Sequence, residues 1–139
     1  IPIVLTLFIA GVFSIVIAVS LLWIFGAELP TILSMTTKSI TAPIAIITSE
    51  QIGAIPSLAV GFVLITGIIG ALFGTIVFKI FKVKHDTSKG FALGLVSHGI
   101  GTARAIEISE KAAAFGALAM GLSGIFTAIF LPMIITFFK

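Results

Sequence analysis

Ser97-His98-Gly99-Ile100-Gly101-Thr102-Ala103-Arg104 sets two helix-weakening glycines, a histidine, an arginine and two hydroxyls inside a chain that otherwise reads as membrane. In hydrocarbon, irregular backbone and charge are tolerated only where protein or a water-filled cavity shelters them. The stretch is therefore the first candidate for a functional site. It points to a polar route for a small molecule.

Working outward, the composition sets the class. Of 139 residues, 59% are hydrophobic and 9% charged, whereas a soluble domain carries roughly 25% charged residues. Such a chain cannot solvate its own surface, so an all-α, polytopic transmembrane bundle is expected. Cysteine is absent, which removes disulfides, thiol nucleophiles and cysteine-based metal sites. The net charge of +3 is not spread as a nucleic-acid footprint: Lys79, Lys82, Lys84 and Lys89 fall in one short stretch between apolar segments. That is a cytoplasmic loop under the positive-inside rule. The chain opens on Ile1-Pro2-Ile3, already apolar and without a charged leader, and is expected to be part of a longer protein.

Three segments suffice for the roughly 20 apolar residues of a crossing: Ile3 to Phe25, Pro56 to Phe78, and Ala112 to Phe138, closed by Lys139. Pro56 suits a first helical position, and Pro132 should kink the last helix or mark its interfacial end. Two further segments are interrupted. Leu29 to Glu50 carries Thr36-Thr37-Lys38-Ser39-Ile40-Thr41-Ala42-Pro43 near its middle, and Gly90 to Glu110 carries the opening stretch. Two interrupted segments in one chain are the pattern of transporter binding sites. With the lysine loop inside, Pro56–Phe78 runs inward and Gly90–Glu110 outward, and the last helix returns to leave Lys139 inside. The first two segments follow by alternation. By analogy with broken-helix carriers, the interrupted segments should cross at midplane; the rival arrangement makes them re-entrant hairpins and shifts this parity. Gly67, Gly70 and Gly74, with Ala117, Gly121 and Gly124, form small-residue stripes for helix packing. Packing within the chain is favoured there over a homo-oligomer.

The candidate site gathers Lys38 with Thr37, Ser39 and Thr41, and Ser97, His98, Gly99, Gly101, Thr102 and Arg104. A cation at mid-membrane costs about 2.5–3.5 kcal/mol on insertion scales. Lys38 must therefore meet a substrate carboxylate or phosphate, pair with Glu28, Glu50 or Glu107, or snorkel to an interface. The hydroxyls around it read as a wetted lining or as ordinary back-bonding to helical carbonyls. Unwinding at Gly99 to Gly101 would turn His98 and Arg104 toward one point and start a half-helix at Thr102 whose amides attract an anion. Arg104 offers a bidentate fork for a carboxylate, against a plain pair with Glu107 three residues on. His98 could relay protons, hydrogen-bond a substrate or be structural. Ser97 and His98 are adjacent, which prevents a nucleophile–base approach, and neither a triad nor a metal-ligand cluster is legible. The chain is thus not read as an enzyme, and no cofactor or metal is expected.

These residues resemble the LrgB/CidB family of bacterial membrane proteins. The likeness rests on Lys38-Ser39-Ile40-Thr41-Ala42-Pro43-Ile44-Ala45, Gly53-Ala54-Ile55-Pro56-Ser57-Leu58, Gly67-Ile68-Ile69-Gly70-Ala71, Gly90-Phe91-Ala92-Leu93-Gly94 and, above all, Ser97 to Ala105. It runs from about Glu28 to the end. Family members are longer at the N-terminus, so the resemblance implies one transmembrane domain over 1–139, the C-terminal part of a longer protein. It implies a bacterial plasma-membrane location and two functional readings. One is movement of small monocarboxylates of the pyruvate, glycolate or glycerate type, as in chloroplast relatives that exchange glycolate and glycerate. The other is antiholin-like control of murein hydrolases and autolysis with a holin-like LrgA/CidA partner. The expected partners are therefore the lipid bilayer, a small organic anion and that membrane protein. Lys38 and Arg104 inside membrane segments favour transport, and replacing either by glutamine is expected to abolish uptake.

Overall fold

A computed structural model of the chain describes residues 2–137, which form six helices with no strand among them. They are α1 (Pro2–Ile24), α2 (Leu29–Met35), α3 (Ala42–Ile52), α4 (Pro56–Ile80), α5 (Asp86–Ile106) and α6 (Glu110–Phe137). Helices α1, α4 and α6 are long and apolar enough to cross a membrane. They turn large apolar side chains outward, among them Phe13, Leu72, Phe73 and Met133. A surface of that kind belongs in lipid. The chain is a multi-pass membrane protein.

Prolines set the helix starts. Pro30, Pro43 and Pro56 all lie in the first turn of their helices, where the missing N–H has no intrahelical partner to lose. Pro43 thus opens α3, and the interruption itself is residues 36–41. Helix α3 ends on Gly53 at φ 78°, a left-handed cap that suits glycine. Helix α6 continues through Pro132 to Phe137; Phe138 and Lys139 lie outside the described residues.

Helix α5 is the element that departs from the expected crossing. His98 sits at φ 42°, ψ −127°, and the chain reverses there. A Cβ on Gly101 would lie 2.1 Å from the carbonyl oxygen of Leu93, eight residues earlier; along a continuous helix those positions are roughly 12 Å apart. Ala105 packs with Leu93 and Ala112, and the Asp86 carboxylate reaches the Ser109 hydroxyl. Residues 86–97 and 99–106 therefore lie back to back, and the chain leaves α5 at the end where it entered. Phe78, late in α4, packs on the same cluster, so α6 starts beside the lysine loop and runs opposite to α4. This corrects the parity expected for the last helix: it ends away from the lysines. The physical reason is length, since a limb of residues 86–97 reaches roughly 18 Å, short of a hydrocarbon core of about 30 Å.

Residues 29–55 return in the same manner at the other end. Ser34 Oγ accepts the N–H of Ile55 at 2.9 Å and donates to the Pro30 carbonyl at 2.7 Å, while Leu33 packs with Ile52 and Leu131. Ile40 packs on Val63, two turns inside α4. Helices α2 and α3 make no contact with α5, and α4 is packed against all three. The expected midplane crossing of the two interrupted segments is not formed by these helices; α4 stands as their common neighbour.

Glycine makes the close packing possible. The limb 86–97 lies against α6 with Gly94 so near that a Cβ would fall 2.0 Å from the Gly116 carbonyl oxygen. On α4, Gly70 faces Ser97 and Gly67 faces the His98 ring, so the first small-residue stripe is an intramolecular socket. The second stripe is shifted. Gly124 is buried against Ile44, but Ala117 and Gly121 are exposed, and the other buried small residues of α6 include Ala112, Gly116, Ala119 and Ser123.

Candidate functional site

Lys38 lies in the turn between α2 and α3 and is 8% exposed. Its Nζ donates to Ser14 Oγ at 2.7 Å and to Ser39 Oγ at 3.0 Å. Among the described residues no carboxylate reaches it: the ion pairs there are Lys89–Asp86 and Arg104–Glu107. The pairings weighed for it with Glu28, Glu50 and Glu107 are not formed. An ammonium has three donors and no acceptor, so two hydroxyls leave one N–H without a partner among the described residues. Lys38 lines a cleft of about 460 Å³ with Ser14, Met35, Ala18, Leu21 and Phe25. The cleft is otherwise almost wholly apolar.

The neighbouring hydroxyls divide. Thr37 Oγ1 donates to the Ser34 carbonyl at 2.9 Å and Thr36 Oγ1 to the Leu33 carbonyl at 2.6 Å. This is local back-bonding that satisfies the last carbonyls of α2, not a lining. Ser39 is half-buried and holds the ammonium. Thr41 is the N-cap of α3 without a side-chain cap bond.

The second stretch is built around the reversal. His98 is 4% exposed, and its Nε2 lies 2.9 Å from the Val63 carbonyl. A carbonyl only accepts, so Nε2 carries the proton and, in the neutral ring, Nδ1 is the acceptor. The backbone conformation of His98 is one that ordinarily only glycine adopts. The ring bond to α4 and the bond from Thr102 Oγ1 to the His98 carbonyl at 2.8 Å hold it there. Ser97 is fully buried, and its hydroxyl has no partner among the described residues. Gly101 is the close-contact residue between the limbs, while Gly99 is exposed near Met120.

Arg104 is not turned toward this point. It is paired with Glu107, and both side chains are largely exposed. The two tips meet instead through α4, with Ile40 on the Val63 side chain and His98 on the Val63 carbonyl. Sequence reasoning missed Ser14 and the Val63 carbonyl. Ser14 is an unremarkable serine in an apolar helix, and only the packing of α1 on α2 places it beside Lys38. Val63 contributes through its backbone, which no residue-type pattern marks.

The profile of the LrgB-like family matches residues 1–137. The uncharacterised protein YxaC of Bacillus subtilis is 34% identical over 114 residues, covering 82% of this chain and 50% of YxaC. The holin-like protein CidB of Staphylococcus epidermidis is 31% identical over 127 residues, 91% of this chain and 56% of that protein. CidB of Staphylococcus aureus is 30% identical over 114 residues, 82% of this chain and 50% of its own length. The chain thus spans about half the length of the curated relatives it matches. No solved structure matches significantly.

Proposed function

The chain belongs to the LrgB-like family, and from that premise we propose that it forms part of a membrane carrier for small monocarboxylates. The observation that carries this reading is the state of Lys38: buried, held by two hydroxyls, with no carboxylate beside it. A buried ammonium without a counter-ion is costly, and a carboxylate entering from the cleft would relieve that cost by taking the third N–H. The apolar wall suits a small organic anion with one charged end.

The same reading gives the two reversals a purpose. Segments 29–55 and 86–109 act as re-entrant hairpins that enter from opposite ends and bring their tips to α4. Each is followed by a long helix, and the two units are oppositely directed, an arrangement that carriers use to alternate access to one site. In this account Ser97, with its unpartnered hydroxyl, and the limb beginning at Gly99 form the second wall, His98 positions that wall through Val63, and Arg104 is an outer cation rather than the anchor.

A second reading has its own support: relatives matching most of this chain bear the name holin-like protein CidB. On it, the protein works with a holin-like LrgA/CidA-type membrane partner to modulate murein hydrolase activity and autolysis. The test is uptake of radiolabelled pyruvate, glycolate and glycerate into proteoliposomes holding the full-length protein with that partner. Saturable uptake that Lys38→Gln loses supports the carrier. Absence of uptake of all three by folded protein moves the weight to lysis control.

A further inference from the structure

We propose that the cleft between the end of α4 and the end of α5, lined by Lys79, Lys82, Lys84, Lys89, Phe78 and Ile108, binds the phosphate headgroup of an anionic phospholipid. This site is separate from the Lys38 cleft and does not rest on the carrier reading. Its volume is about 460 Å³. Four lysines line it. Only Lys89 has a carboxylate partner, Asp86 at 2.8 Å; Lys79, Lys82 and Lys84 are exposed and lack an ion pair among the described residues.

Two features select a lipid over a free anion. The first is the mixed wall: Phe78, Val83 and Ile108 offer apolar surface directly beside the lysines, matching a ligand whose phosphate adjoins glycerol and acyl chains. The second is depth. The cleft begins where the apolar span Pro56–Ile80 ends, which is where lipid headgroups lie, on the side to which the lysines assign the cytoplasm. Basic residues at that depth attract anionic lipid by a short-range field. Lys82 adopts φ 52°, a left-handed conformation unusual outside glycine, and this turn folds the chain so that Lys79 and Lys84 border the same space. Since Ile108 belongs to the exit of the α5 reversal, a lipid seated here also contacts both ends of that hairpin.

The experiment is native mass spectrometry of the full-length protein in detergent, titrated with phosphatidylglycerol, with phosphatidylcholine, and with phosphatidylglycerol in the presence of inorganic phosphate. Expected is retention of phosphatidylglycerol over phosphatidylcholine that inorganic phosphate does not displace. Each of Lys79→Gln, Lys82→Gln and Lys84→Gln should weaken it by about fivefold. Asp86→Asn, which frees Lys89 and removes a negative charge, should strengthen it, a direction that misfolding would not produce. Glu50→Gln, beside the opposite end of α4, should leave retention unchanged. Equal retention of both lipids, indifference to the three lysine substitutions, or displacement by inorganic phosphate would overturn the proposal.

Discussion

Lys38 and Arg104 are both cations in interrupted segments, and the fold treats them oppositely. Lys38 is buried against α1 with two serine hydroxyls and, among the described residues, no counter-ion. Arg104 is on the outer side of its limb, paired with Glu107 in a largely exposed bridge. The lesson is about cost. An exposed pair three residues apart is worth about 0–1 kcal/mol and needs no further explanation, whereas a buried charge without a partner needs one. Position in the sequence does not separate these cases; the side-chain environment does.

The largest expected effect follows from that contrast. If a substrate carboxylate completes the Lys38 site, Lys38→Met removes a buried charged contact of about 2–5 kcal/mol. Proteoliposome uptake should then fall by about 30-fold or more. Arg104→Gln breaks only the exposed pair and should cost no more than about fivefold. Equal loss in both variants would break the comparison and return Arg104 to the anchor role.

Next comes the reversal that sets Arg104 outside. Gly101→Ala places a methyl 2.1 Å from the Leu93 carbonyl oxygen, whereas at Gly121 nothing lies within 4 Å. Backbone cannot yield as a flexible side chain can, so Gly101→Ala should destabilise by at least the 1–3 kcal/mol typical of overpacking. Gly121→Ala should be neutral or stabilising by up to about 1 kcal/mol, as alanine favours helix. Thermal melts of the detergent-solubilised full-length protein compare them. Identical melting would mean that the two limbs do not lie back to back.

Ser97 offers a finer cut, because its two readouts should part. A buried hydroxyl without a partner stabilises nothing, so Ser97→Ala should keep or raise the melting temperature. If a substrate uses that hydroxyl, KM should rise by about fivefold, the equivalent of one hydrogen bond of about 1 kcal/mol. Unchanged KM would confine the anion to the Lys38 side.

Much of this arrangement was legible before the structure. Three uninterrupted apolar runs become α1, α4 and α6 because length and absence of charge leave few alternatives. The residues around Lys38 and His98 stand out because polar groups in hydrocarbon are rare. What was not legible is where each chain segment goes after its interruption. A limb that crosses and a limb that returns have the same composition, and the difference is carried by one backbone conformation, at His98, and by glycines that admit close contact. Ser14 illustrates the same gap. Its role depends on which helix lies beside Lys38, and no periodicity within α1 encodes that.

The smallest effect concerns the open end of that hairpin, beside the lysine loop and outside the membrane segments. The Lys89 ammonium, hydrogen-bonded at 2.8 Å, and then the Ser109 hydroxyl hold the Asp86 carboxyl below its ordinary range. A carboxyl depressed in the folded state contributes stability above its unfolded pKa of about 3.9, and that contribution is lost as pH falls through the folded value. Melting temperature should therefore decline on acidification below about pH 5, and Asp86→Asn should flatten that part of the profile while lowering stability slightly at neutral pH. The effect is small because the pair is partly exposed and screened. Arg104→Gln, which removes a bridge of the same i, i+3 spacing from the opposite limb, supplies the comparison. If it alters the acid limb as much as Asp86→Asn does, the closure at Ser109 has no special share in holding the reversal.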